Sequence, residues 1–87
     1  KKNNPYILDS LGWALHLKGN YTDAKFYIEE ALTYLPSDPI ISDHYGDILW
    51  KLGKNLQARY FWKYALTHTD TSEEKIKIIK NKILKGI

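Results

Sequence analysis

Asp43, His44 and Asp47 fall within about one helical turn of each other, and two carboxylates beside an imidazole are the residue types that bind a divalent metal. A metal site needs three or four ligands that converge, whereas adjacent residues on a helix point in different directions, so Asp43 and His44 are not expected to share an ion. The other histidines, His16 and His68, are scattered. Glu29-Glu30 and Glu73-Glu74 read as helix-surface and helix-start carboxylates, not as an acid and base pair. With no cysteine there is no disulfide or thiolate site, and no glycine-rich loop follows a strand to cradle a phosphate. The expectation is a protein with no catalytic centre, metal or cofactor. The same residue types suit recognition instead. Helical spacing puts Asp9, Trp13 and His16 on one stripe and Asp43, Asp47 and Trp50 on another, and indoles beside carboxylates can hold a cation next to an apolar group.

The elements that would position these stripes are helices in a repeating order. Apolar residues recur at helical spacing in residues 5–18 (Ile7, Leu8, Leu11, Ala14, Leu15, Leu17), where Asn4 and Pro5 supply a cap followed by proline at the first helical position. Gly19-Asn20 stops that helix. Ala24, Tyr27, Ile28, Ala31, Leu32 and Leu35 predict a second one over about residues 22–35, closed by Pro36 and the turn residues Ser37-Asp38. Asp38-Pro39 restarts the cycle, with a third helix to about Leu52 and a fourth over about residues 56–67. No segment alternates with period two, so no strand is expected.

The second pair of helices copies the first at an offset of 34 residues. Pro5 returns as Pro39, Ile7 as Ile41, Asp9 as Asp43, Gly12 as Gly46, Leu15 as Leu49, Gly19 as Gly53, Ala24 as Ala58 and Ala31 as Ala65. A fixed period of this length marks stacked units, each hiding its apolar face only against its neighbours. Glycine inside a helix costs about 1 kcal/mol relative to alanine. Its return at Gly12 and Gly46 therefore points to close helix contact.

Leu8, Leu11-Gly12, Leu15, Ala24, Ile28, Ala31 and Pro36 in the first unit, and Ser42, Tyr45-Gly46, Leu49, Ala58, Trp62 and Ala65 in the second, occupy the places of the tetratricopeptide repeat (TPR) pattern. The chain thus resembles two tandem TPRs, with Ser42 standing where a large residue is usual and Asp70 replacing the closing proline. The resemblance implies an all-α solenoid of five helices: a flank at residues 1–4, units at 5–38 and 39–71, and a closing helix at 72–87. The wording of the two units looks like that of repeats in bacterial TPR proteins.

In that family the first helix of each unit lines a concave groove. The resemblance places Tyr6, Asp9, Trp13, His16 and Leu17 there from the first unit, and Ile40, Asp43, Asp47, Trp50 and Lys51 from the second. Trp62 occupies a core place, whereas Trp13 and Trp50 are expected to be at least partly exposed. Some co-chaperone TPR domains hold a C-terminal carboxylate with Lys, Asn and Arg at these positions. Here the aspartates would repel such a ligand, so a basic or amphipathic protein segment is the expected partner.

After a capping-box candidate, Thr71 with Glu74, the tail sets Ile76, Ile79 and Ile83 in register with a third unit but puts Lys80 where glycine should be. This predicts a closing helix. Its five lysines and the terminal Lys1 and Lys2 carry the net charge of +3, since between Asn3 and Ser72 six basic residues face eight acidic ones. A nucleic-acid binder would spread basic residues along a continuous face, so nucleic acid is not an expected partner. No apolar run is long enough to span a membrane. Ile7, Leu11 and Ala14 form a stripe that a preceding unit would cover, which leaves self-association through the repeat ends, or a purely structural spacer role, as the alternative to groove binding. A chain that starts at Lys1 reads as a piece of a longer protein whose compartment is open.

Overall fold

Asn4 and Asp38 each open a helix in the same way. In the computed structural model, which describes residues 4–68 and 72–87, the Asn4 side chain accepts from the Tyr6 N–H at 2.8 Å and Pro5 takes the first helical position of α1 (Pro5–Leu17). Asp38 accepts from the N–H groups of Ile40 and Ile41 at 2.9 and 3.1 Å ahead of Pro39 and α3 (Pro39–Lys51). These caps satisfy amide groups that the helix itself leaves without partners. Both helices also stop alike. Gly19 and Gly53 lie at φ +87° and +81°, and the following Asn20 and Lys54 donate their N–H groups to Leu15 and Leu49 carbonyls at 2.9 Å each. Only glycine adopts that left-handed turn without steric cost.

The second helices are α2 (Tyr21–Tyr34) and α4 (Asn55–Thr67), each one residue earlier at its start than the apolar pattern alone predicts. The closing helix α5 (Glu73–Lys85) is capped by Ser72, whose Oγ accepts from the Lys75 N–H at 3.3 Å, so the cap falls one residue after the expected Thr71, which lies outside the described residues. Glu73 and Glu74 sit in its first turn, where their charge favours the helix N-terminus. Among the described residues there are five helices and no strand. Packing runs α1 on α2, α2 on α3, α3 on α4 and α4 on α5, a stack of two helix-turn-helix units and a closing helix.

One core runs through the stack. Leu8, Ala24, Ile28 and Ala31 of the first unit join Ile41, Ile48, Leu49, Ala58 and Trp62 of the second and Ile79 of α5, all buried. Ser42, which departs from the family pattern, is buried as well and donates its hydroxyl to the Phe61 carbonyl at 3.2 Å. A small polar residue is tolerated there because its one donor is satisfied.

The interior glycines have a packing reason. A Cβ on Gly12 would lie 2.7 Å from Ile28, and one on Gly46 would overlap the Trp62 ring. Gly46→Ala gains about 1 kcal/mol of helix propensity but drives a methyl into an indole that is fully buried and held by its own hydrogen bond. The expected result is a net loss of about 1–2 kcal/mol, seen as a lower melting temperature, with Gly12→Ala milder because its clash with Ile28 is less deep than that of Gly46→Ala with the Trp62 ring. A Gly46→Ala protein that melts at or above the parent temperature would contradict this contact.

Candidate functional site

The stripes on α1 and α3 do share the inner side of the stack, but the protein itself uses most of their polar groups. Asp9 and Asp43 are buried, and Trp13, His16, Asp47 and Trp50 are half-buried. Tyr6, Leu17, Ile40 and Lys51 are exposed. The expected open row of carboxylates is therefore corrected: Asp9, Asp43 and Asp47 all have partners within the chain.

Asp9 Oδ1 lies 2.8 Å from His44 Nδ1, a bond that ties α1 to α3. His44 stacks on Trp13 with ring centroids 4.1 Å apart, and Trp13 also stacks on His16 at 4.5 Å. His16 meets Tyr21 at 5.4 Å. Burial of the His16 ring lowers its pKa below the ordinary histidine value, with Lys51, His44 and Lys82 acting in the same sense and Asp47 opposing them. Its Nδ1 is buried and makes no hydrogen bond.

In the second unit the closing helix supplies the partner. Lys82 Nζ donates to Asp43 Oδ1 at 2.6 Å and to Asp47 Oδ1 at 2.7 Å, and it sits 5.3 Å from the centroid of the Trp62 ring. The same Asp47 Oδ1 accepts from Trp62 Nε1 at 2.9 Å. A buried indole N–H requires an acceptor, and Asp47 provides it. Trp50 stacks on Trp62 at 5.7 Å, the Arg59 guanidinium lies 5.0 Å from the Trp50 ring, and Gly86 packs against its edge. Arg59 Nε also donates to the Ile83 carbonyl of α5 at 2.8 Å. The 39-residue reach from Asp43 to Lys82 lies beyond any helical spacing. One sequence sign of it exists: a tryptophan at a core place implies a nearby acceptor, and Asp47 follows the glycine on which that tryptophan packs.

A second polar contact joins the units on their other side. Tyr45 donates its hydroxyl to Glu29 Oε2 at 2.5 Å, and Lys25 pairs with the same oxygen at 2.7 Å. Burial and the Glu29 contact push the Tyr45 hydroxyl well above the usual tyrosine range. Burial acts to raise the Glu29 carboxyl, but the bonds from Lys25 and Tyr45 together outweigh it and hold the carboxyl below its ordinary value. Among the described residues, no group of three or more His, Asp or Glu side chains is placed to hold a metal ion. None of the described helices is long and apolar enough to cross a membrane.

Comparison with protein-family models, with curated proteins and with solved structures finds no match. The repeat arrangement accordingly stands on the chain's own 34-residue periodicity and on the packing of its helices.

Proposed function

We propose that this chain is a non-enzymatic protein-interaction module of the TPR kind, whose inner face receives an amphipathic segment of a protein partner. The observation that carries this reading is the exposure of Tyr6, Leu17 and Ile40 on α1 and α3, and the seat of Lys82 is why the aspartates beside them do not serve a partner. The α3 face holds a helix-borne ammonium between two carboxylates and over an indole, which is the chemistry of a site for a basic residue. In this fold the second half of that face is filled by α5. The surface left to a partner is then Tyr6, Leu17 and Ile40, with Lys51 at the rim and half-buried Trp13 between. Aromatic and aliphatic residues of this kind dominate binding, while rim charges contribute little.

The expected selectivity shifts in consequence. Asp43 and Asp47 are already neutralised by Lys82, so an apolar stretch matters more to the partner than its basic residues. The test is a selection of displayed peptides on the whole chain, followed by titration of the winners against Tyr6→Asp with Ile40→Asp. Both positions are exposed, so the double variant keeps the parent circular dichroism, and its affinity falls at least tenfold, about 1.4 kcal/mol. Lys51→Glu changes affinity only slightly. Peptides that bind the double variant as well as the parent would rule out the inner face as the site and favour a structural spacer. The exposed Ile7 and Leu11 on α1 give that second reading its support.

A further inference from the structure

Trp13 is the middle ring of a stack of three. His16, one turn along α1, lies at 4.5 Å between centroids and His44 of α3 at 4.1 Å, with planes 23° and 20° from that of the indole. One face of an indole has no room for two imidazoles at these distances, so they take opposite faces. The two histidines are not equally provided for. His44 Nδ1 lies 2.8 Å from Asp9 Oδ1, so a positive charge gained by its ring lies against a carboxylate. His16 is bonded to no carboxylate: its Nδ1 is buried without a hydrogen bond, and Tyr21 of α2 closes over the ring at 5.4 Å. The charged groups that face it are Asp47 and Lys51 of α3 and Lys82 of α5, with His44 beyond the indole. Asp47 alone favours a cation there, and it is already engaged by Lys82 and by the Trp62 N–H.

We propose that this stack is an acid-sensitive latch: in acid His16 takes up a proton and swings out of its slot, which uncovers one face of Trp13, while His44 keeps the other. The neutral ring can leave Nδ1 without a proton, whereas a protonated ring in the same slot would carry an N–H there with no acceptor, out of reach of water and facing two lysines. The indole face attracts a cation, but burial is the largest influence on the ring and it acts against the charge. A histidine ring in water titrates near 6.5 and the slotted ring below it, so the closed latch keeps its full stability above about pH 6.5 and loses it as the pH falls through the lower value. Opening is local. His16 lies in the last turn of α1, beside the exposed Leu17, Lys18 and Gly19, and neither it nor Trp13 belongs to the buried core. The ring can therefore leave by side-chain rotation with every helix kept. The latch is a property of this chain alone and does not rest on a peptide binding to the inner face.

Two measurements on the whole 87-residue chain decide the matter. Nuclear Overhauser contacts between the His16 and Trp13 rings are expected at about pH 7.5 and lost at about pH 5, whereas those between His44 and Trp13 persist at both. This measurement uses the parent chain and needs no variant. Over the same interval acrylamide quenching of tryptophan fluorescence is expected to rise by about half, above a constant background from the fully buried Trp62, while the far-ultraviolet circular dichroism stays unchanged. His16→Gln, at a half-buried position outside the core, keeps the fold and abolishes the rise. Three results would each overturn the proposal. His16 contacts to Trp13 that persist in acid mean that the ring does not leave, an equal rise in His16→Gln assigns the response to another group, and a loss of helical circular dichroism across the interval makes it unfolding.

Discussion

Trp62→Ala is expected to cost about 3–5 kcal/mol, the range for deleting a large buried aromatic side chain. The whole stability of an 87-residue domain is about 4–13 kcal/mol, so this variant loses a large share of it and is unfolded at room temperature only if the parent lies at the low end of that range. The effect is large because one side chain joins three helices. Its ring fills the space that Gly46 leaves open on α3, stacks on Trp50, carries the Lys82 ammonium from α5 on its face, and donates its N–H to Asp47. The equivalent place in the first unit holds Ile28, which has no polar atom and needs no acceptor on α1. Trp62→Phe separates the two contributions. It keeps most of the apolar contact but loses the N–H, and about 1–2 kcal/mol is expected to go with that bond. Urea unfolding followed by circular dichroism measures both. A loss below about 2 kcal/mol for Trp62→Ala would mean that the stack collapses around the hole and that Trp62 is not its hub.

Lys82→Met is expected to cost about 3 kcal/mol, although the change keeps an apolar stem of similar length. The loss comes from what remains: Asp43 and Asp47, with side chains only 12% and 14% exposed, would sit close together with no cation between them. Removing one partner of a buried ionic group is costly because the rest cannot regain its hydration, whereas removing all of them together is much less so. The decisive comparison is thus a rescue. Lys82→Met combined with Asp43→Asn and Asp47→Asn should recover more than half of the lost stability, since the carboxamide oxygen introduced by Asp47→Asn can still accept from the Trp62 N–H. If Lys82→Met alone costs under about 0.5 kcal/mol, the cluster behaves as an exposed surface pair and α5 is held by Ile79, Ile83 and the Arg59 bond to the Ile83 carbonyl.

The chain's order of residues determined the helices almost completely. Asn4-Pro5, Asp38-Pro39, Gly19 and Gly53 set the helix ends through local hydrogen bonds and φ preferences, and these need no knowledge of the rest of the fold. The 34-residue period also foretold the packing of Gly12, Gly46, Ala24, Ala58 and Trp62, because equal units stacked in sequence meet their neighbours in the same way each time. The assignment of Tyr6, Leu17, Ile40 and Lys51 to an inner face comes from the family resemblance and not from the period, and all four are exposed. The state of the polar groups on that face was not legible. Asp43 and Asp47 read as free carboxylates from helix spacing alone, since their partner, Lys82, comes from α5, where the period fails and a lysine takes the place of the glycine. Asp9 likewise finds His44 across a gap of 35 residues. Helix formation depends on neighbours within a turn or so, and a sequence displays those directly. Which charges meet in a low-dielectric interior depends on how whole helices are set against one another, and only the tertiary structure decided that.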